Sequence, residues 1–310
     1  MKKIILIILA SALVIAVGIY FIIPSKLEVT NQVTIETSDA IISRFLIQKN
    51  GWDKWWPGTK INDDQFSYNG VQFHISKTTN SAVNLSIQKN NLKLNGEISY
   101  LPNSDYMVKI TLYATVESTL NPIQKVANYI KINDLKDQTA IVLHHLKIFL
   151  EDEKNAYGYK IYINKIEYPI LLTTTIASKN YPDMRHVYET IKELRKQAKV
   201  QGAKEKNFPM LNIHKTDDEQ YEISLAIPID KAITPTGKSY INNMVLGGNL
   251  LVADVKGGPN TISNAFAQVK IFMKDHRLIS PAMPFESLVT DRYVEKDTAK
   301  WITKIYYPIF

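Results

Sequence analysis

GGNLLVADVKGGPNTISNAFAQVKIFMK, residues 247–274, decides the fold of the second half of the chain. It begins with a short, mainly apolar segment typical of a buried strand, and a helix is predicted from Thr261 to Lys274. Two strand-like segments follow, PFESLVT and WITKIYYPIF. The same order occurs earlier: the strand IYINKIEYPILLTTTIA, a helix over 183–200, then the strands PMLNIH and YEISLAIPI. A strand, helix, strand, strand unit is therefore predicted to occur twice.

Short motifs set the register between the two repeats. Residues 208–210 (FPM) correspond to residues 283–285 (MPF), and IPI at 227–229 corresponds to YPI at 307–309. In this register one repeat has Leu211 where the other has Glu286. Side chains two apart share one face of a strand, so Glu286 is expected beside Leu288 on an inward face. A carboxylate there needs a basic side chain, a proton or a cationic ligand to compensate it.

These motifs, with LGGNLLVADVKG and the closing WITKIYYPI, resemble the GyrI-like effector-binding domain, which occurs alone or fused to AraC-type and MerR-type regulators. The resemblance covers residues 165–310. It implies that Glu286 lies at the base of an aromatic cleft and neutralises cationic amphipathic ligands. Trp301, Tyr306, Phe266 and Tyr188 are the candidate aromatic walls, from which a cation would gain cation–π attraction. The alternative is a structural carboxylate paired with Lys or Arg.

The first half of the chain has a different pattern. An alternating strand from Leu27 is followed by a helix capped by residues 37–39, and then by WDKWWPG at residues 52–58. Strand-like segments from Phe66 to Val116 follow, and Asn69-Gly70 and Asn95-Gly96 both predict hairpin turns. After Asn121-Pro122 the apolar spacing becomes helical.

This order, with NQVTIETSDAIISRFLIQKNGWDKWWPG, resembles the START-like (SRPBCC, polyketide-cyclase-type) helix-grip family. The family fold is a curved antiparallel sheet wrapped around a long C-terminal helix, enclosing an apolar cavity that holds a ligand or lipid. Trp52, Trp55 and Trp56 are then either residues at the mouth of that cavity or packed core. The predicted domains are residues 26–155 and 160–310, separated by the polar segment 154–158.

Residues 4–23, IILIILASALVIAVGIYFII, form an unbroken apolar run. At about 1.5 Å per helical residue the run would reach about 30 Å, enough to cross a bilayer. A cleavable signal peptide is the alternative, but no pair of small residues precedes Pro24. Lys2 and Lys3 favour an N-terminus in the cytoplasm. Residues 26–310 are then expected on the outer, periplasmic side of a bacterial inner membrane.

The composition excludes some classes of site. The chain has 310 residues, a net charge of +7 and no cysteine, so disulfides, thiol catalysis and cysteine-bound metals are excluded. The six histidines show no metal-binding spacing, no cofactor is implied, and no nucleic-acid-binding motif is present. No residue is proposed as catalytic from these patterns, and the oligomeric state stays open.

The predicted fold is α+β: a single N-terminal transmembrane helix, a helix-grip antiparallel sheet domain and a two-repeat β-α-β-β effector-binding domain. The predicted function is a membrane-anchored protein without its own DNA-binding domain that senses or sequesters small amphipathic ligands, cations among them. Two alternatives stay open. One is a hydrolase of electrophilic small molecules in which Glu286, assisted by Tyr306 or Tyr188, polarises a water. The other is an envelope protein that handles lipids through the START-like cavity.

Overall fold

The protein is described from a computed structural model that covers residues 4, 11, 14, 17, 18, 20–104 and 106–310. Within this description the chain divides into two units, Met1–Asp152 and Glu153–Phe310. The fold is α+β, with one antiparallel sheet in each unit. Most of the predicted transmembrane segment, residues 4–23, lies outside the described residues. Among the residues that are described, no helix is both long and apolar enough to span a bilayer.

From Lys26 onward, the described part of the first unit contains seven strands and three α-helices. In chain order they are β1 (Lys26–Ile35), α1 (Asp39–Ile42), α2 (Trp52–Trp55), β2 (Thr59–Lys60), β3 (Gln65–Tyr68), β4 (Val71–Thr78), β5 (Ala82–Lys89), β6 (Leu92–Ser104), β7 (Met107–Glu117) and α3 (Pro122–Leu150). A π-helical turn, Ser43–Ile47, and a 3-10 turn, Lys49–Gly51, join α1 to α2. The sheet order is β1-β7-β6-β5-β4-β3-β2, and the sheet is curled into a half-barrel.

The long helix α3 packs against β1. Leu135, Val142 and Leu146 are fully buried on its inner face. The Asn31 side chain on β1 donates a hydrogen bond to the Lys136 carbonyl at 2.7 Å. The helix begins where the sequence predicts, because the Asn121 side chain accepts hydrogen bonds from the Ile123 and Gln124 N–H groups.

Only one of the two predicted Asn-Gly turns forms a turn. Asn69 and Gly70 have positive φ values of 46° and 75° and connect β3 to β4, which confirms the first hairpin. The turn predicted at Asn95-Gly96 is wrong, because both residues lie inside β6. The chain instead reverses just before β6, where Asn90 has a φ of 52°.

The second unit contains eight strands and three α-helices. They are α4 (Glu153–Tyr157), β8 (Lys160–Lys165), β9 (Ile170–Ser178), α5 (Met184–Val200), β10 (Met210–Lys215), β11 (Tyr221–Pro228), β12 (Tyr240–Asn243), β13 (Asn249–Lys256), α6 (Pro259–Asp275), β14 (Phe285–Leu288) and β15 (Ile302–Ile309). A short 3-10 helix, Thr298–Lys300, precedes β15. All eight strands form one sheet in the order β12-β9-β11-β10-β14-β15-β13-β8.

The sheet confirms the predicted repeat. β9-α5-β10-β11 and β13-α6-β14-β15 have the same element order, and β10 of one repeat pairs with β14 of the other. Leu211 lies directly opposite Glu286 in that pairing, so the two positions aligned from the sequence meet at the centre of the sheet. The carboxylate therefore lies where the two repeats join.

One predicted strand is in fact two. Residues 161–177 break between Lys165 and Ile170, around Pro169, because proline cannot donate a ladder hydrogen bond. The two parts then pair with different repeats: β8 pairs with β13, while β9 pairs with β11. Similarly, β12 precedes the second repeat in the chain but pairs with β9 of the first. The strand that precedes each repeat in the chain thus pairs with the first strand of the other repeat.

Candidate functional site

The largest described cavity lies in the second unit, against the junction of the two repeats, and has a volume of about 820 Å³. Residues from β10, β14 and β15 line it together with the start of α5 and the first half of α6. Its apolar wall comprises Met184, Leu211, Ile213, Ile262, Phe266, Met283 and Trp301. Its polar residues include Asp183, His214, Lys270, Glu286, Arg292 and Tyr307.

Glu286 and Arg292 form a buried ion pair in the wall of this cavity. An Arg292 Nη lies 2.5 Å from Glu286 Oε2, and the two side chains are 4% and 13% exposed, respectively. The requirement for a compensating group at Glu286 is therefore met by a basic side chain, as expected for the alternative of a structural carboxylate paired with Arg. Arginine suits this position because its guanidinium is always charged and is less strongly hydrated than an ammonium group.

Arg292 is held in place from several sides. The same Nη donates a hydrogen bond to Thr303 Oγ1 at 2.8 Å, and the guanidinium carbon lies 4.9 Å from the centre of the Trp301 ring. The backbone N–H of Arg292 donates to the Tyr188 hydroxyl at 2.9 Å. These contacts fix the cation behind the carboxylate. Glu286 is the more exposed partner of the pair.

The Glu286 carboxylate keeps some capacity to interact. Its Oε2 accepts from Arg292, and Oε1 has no hydrogen-bond partner among the described side chains. Burial raises the pKa of the Tyr181 phenol at the rim of the cavity, and the negative charge of Glu286 raises that pKa further. The positive charge of Arg292 lowers that pKa, so the two charges of the pair act on Tyr181 in opposite directions.

Two further polar groups of this wall are buried without a described hydrogen-bond partner. They are Arg292 Nε and the Tyr307 hydroxyl. Tyr307 is 3% exposed, and burial raises its pKa to about 12. Native proteins leave few such groups unpaired, so both groups are available to a water molecule or a ligand in the cavity.

The predicted aromatic walls occupy three different places. Trp301 and Phe266 line the cavity with Glu286. Tyr188 lies beneath it, where its hydroxyl donates to the Thr290 carbonyl at 3.1 Å, and burial raises its pKa. Tyr306 faces the opposite side of the sheet, because it pairs with Phe285 and neighbouring strand residues alternate in direction. Its ring stacks on Phe285 at 5.1 Å and cannot contact a ligand beside Glu286.

Arg292 and Tyr307 were not among the site residues predicted from the sequence. Tyr307 could have been found, because it stands two residues from Ile305, which pairs with Glu286, and so shares that face of the sheet. Arg292 lies in the loop after β14, outside any periodic pattern, and only the folded chain brings it to Glu286.

A smaller cavity of about 200 Å³ lies on the other face of the same sheet. Met210, Met244 and Phe285 line it together with Ala226 and Leu171. It contains neither Glu286 nor Arg292. We therefore regard the larger cavity as the candidate functional site.

In the first unit, the three tryptophans form a packed cluster. The Nε1–H groups of Trp52, Trp55 and Trp56 donate to the backbone carbonyls of Leu46, Phe45 and Ser67 at 2.6, 2.9 and 3.0 Å. The rings also pack on Phe66 and Phe73. All three are buried, and none lines any of the described cavities. Their arrangement matches the core-packing alternative.

In the part of the chain that the structure describes, no three His, Asp or Glu side chains lie close enough together to hold a metal ion. The polar groups of the large cavity are instead arranged as an ion pair with phenol and imidazole groups nearby.

The chain matches no family model and no curated protein. Among solved structures it is similar over 49% of its length to the EcmrR C-terminal domain, with 98% of that domain covered, 16% identity and a TM-score of 0.41. The structure of SAV2435 bound to tetraphenylphosphonium is 12% identical over 48% of this chain and 93% of that one, with a TM-score of 0.33. The Aha1 dimer from Colwellia psychrerythraea is 16% identical over 40% of this chain and 96% of that one, with a TM-score of 0.32. These similarities are weak, and the fold described above rests on the strand pairings of this chain.

Proposed function

We propose that the second unit binds an amphipathic organic cation in the 820 Å³ cavity. The observation that carries this proposal is the position of Glu286 in the wall of that cavity, where Arg292 pairs with only one of its two carboxylate oxygens. The volume is in the range of small-molecule sites, about 300–1,000 Å³, and such sites combine apolar walls with a few polar groups.

The two ends of such a ligand have different partners. An apolar body would pack on Ile262, Phe266 and Trp301, while a positive group would lie beside the open oxygen of Glu286. The ring faces of Trp301 and Phe266 add cation–π attraction. Arg292 lowers the gain because it carries a like charge, but it also stabilises the carboxylate when the cavity is empty of ligand.

Membrane attachment through residues 4–23 completes the proposal. The apolar run is long enough to cross a bilayer, and Lys2 and Lys3 favour a cytoplasmic N-terminus. The cavity would then face the outer side of the membrane. In this proposal the protein senses or sequesters its ligand.

Trp301 provides a direct test, because the other three tryptophans, Trp52, Trp55 and Trp56, belong to the first unit. The full chain in lipid nanodiscs is titrated with tetraphenylphosphonium, a rigid lipophilic cation, and tryptophan fluorescence is recorded against protein-free nanodiscs. A saturable change that Trp301→Phe abolishes is expected. A change that persists in Trp301→Phe would place the ligand elsewhere and contradict the proposed site.

A further inference from the structure

An uncharged tip, residues 118–124 (STLNPIQ), joins β7 to α3 in the first unit. It exposes two large aliphatic side chains, since Leu120 is 81% and Ile123 is 80% exposed. Glu117 and Lys125 flank the tip, but no Asp, Glu, Lys or Arg lies within it. Such a surface is costly to leave in water and lacks charges that would oppose contact with hydrocarbon.

Four of the six backbone N–H groups of this tip donate hydrogen bonds within the protein. The Ser118 N–H donates to the Ser25 carbonyl, and the Asn121 N–H donates to Thr119 Oγ1. The Asn121 side chain accepts from the N–H groups of Ile123 and Gln124, and Pro122 has no N–H. Unsatisfied backbone groups are the main cost of bringing a loop against lipid. This tip has largely removed that cost.

The tip also lies beside the end of the apolar run. The Tyr20 hydroxyl donates to the Leu120 carbonyl, and the Lys125 ammonium lies 4.6 Å from the centre of the Tyr20 ring. Phe21 and Ile22, the next residues of the run, are also highly exposed. A tyrosine next to a lysine at the end of an apolar segment is typical of the membrane–water interface.

We propose that the tip 118–124 is a second bilayer contact of this protein, with Leu120 and Ile123 inserted at the interface beside the end of residues 4–23. The inference rests on the proposed membrane attachment. Beyond that attachment, the first unit would contact the lipid surface through its β7–α3 end. This contact would hold β7 and α3 at the membrane and restrict rotation of the first unit about the anchor.

The absence of cysteine makes the contact measurable by site-directed spin labelling of the full chain. Leu120→Cys and Ile123→Cys are labelled with a nitroxide in vesicles of phosphatidylcholine and phosphatidylglycerol. Leu101→Cys is the matched control: Leu101 is also an exposed leucine, and it pairs with Lys109 eight residues along β7 from Glu117, or about 27 Å at the usual strand rise. Val14→Cys reports on the apolar run itself.

The labels at positions 14, 120 and 123 are expected to be accessible to oxygen and shielded from a water-soluble nickel complex. The label at 101 is expected to be accessible to the nickel complex and less accessible to oxygen than the other three. Water-like accessibility at 120 and 123 with an immersed label at 14 would overturn the inference and leave the anchor intact. Labels at 120 and 123 shielded from both reagents would indicate a protein partner and would also overturn it. A water-like label at 14 would refute the attachment as well.

Discussion

At the scale of single residues, the Glu286–Arg292 pair is a buried ion pair in the wall of the cavity. Burying two charges is costly, and their attraction repays that cost only while both partners are present. Arg292 has two neutral contacts besides Glu286, Thr303 and the Trp301 ring, so it is fixed more firmly than the carboxylate. The pair is therefore sensitive to the loss of either member.

Replacing Arg292 with Met should destabilise the second unit by about 3 kcal/mol, because it leaves a carboxylate buried without a partner. The double variant Glu286→Leu/Arg292→Met should recover most of that loss, since the first repeat has Leu211 at the equivalent position. Urea unfolding followed by circular dichroism measures the free energy of unfolding of both variants.

Arg195→Met is the matched control for this prediction. Arg195 pairs with Glu205 at 2.7 Å, but the two side chains are 44% and 26% exposed. Pairs near the surface contribute about 1 kcal/mol or less. Equal losses for Arg292→Met and Arg195→Met would show that the Glu286 pair is not buried in solution.

Tyr307 gives a prediction in alkaline solution. Burial raises its pKa to about 12, whereas tyrosine in an unfolded chain has a pKa of about 10. Between about pH 10 and about pH 12, Tyr307 is deprotonated in the unfolded chain but still protonated in the folded one. The free energy of unfolding therefore falls as the pH rises through this range. Tyr307→Phe should remove that loss.

Urea titrations of Tyr307→Phe at neutral and alkaline pH test this expectation, with the exposed Tyr293→Phe as control. Near neutral pH, Tyr307→Phe should also be neutral or stabilising by about 1 kcal/mol, because the hydroxyl has no described partner. A large loss of stability at neutral pH would show that the hydroxyl is hydrogen-bonded in solution.

At the scale of elements, β6 shows why a local turn signal can fail. Asn-Gly favours a hairpin because both residues tolerate positive φ, yet Gly96 lies within β6, opposite Ala114 of β7. A Cβ atom at Gly96 would lie 2.3 Å from the Tyr113 carbonyl oxygen and 2.5 Å from the Ala114 Cβ. This glycine is needed for the close approach of two strands, which the local sequence does not reveal.

Gly96→Ala should therefore destabilise the first unit by about 2 to 3 kcal/mol, because backbone atoms would have to move. Asn95→Ala, at the exposed neighbouring position of the same strand, should change stability by about 0.5 kcal/mol or less. Thermal unfolding of the two variants beside the parent chain provides the comparison. Similar melting temperatures for both variants would mean that β6 and β7 do not pack as described.

At the scale of the whole molecule, periodicity predicted more than local motifs did. The order of the main strands and helices, the duplication and the alignment of Leu211 with Glu286 follow from hydrophobic spacing and from repeated proline motifs, whereas the break between β8 and β9 and the short strand β12 did not. The exchange of β8 and β12 between the repeats did not follow, since strand pairing over such distances depends on the assembled sheet. For the same reason Arg292, a loop residue, and the true direction of Tyr306 became visible only in the structure.

The measurement that tests the central claim most directly compares two ions of the same shape and opposite charge, tetraphenylphosphonium and tetraphenylborate. Each is titrated against the full chain in nanodiscs, with Trp301 fluorescence as the signal and with Glu286→Gln and Lys270→Gln as variants. Lys270 also lines the cavity and serves as the charge control. The cation should bind more tightly than the anion, and Glu286→Gln should weaken cation binding about tenfold, or about 1.4 kcal/mol, while Lys270→Gln should not weaken it. Equal affinity for both ions, or cation binding unchanged in Glu286→Gln, would contradict a cation site built on Glu286.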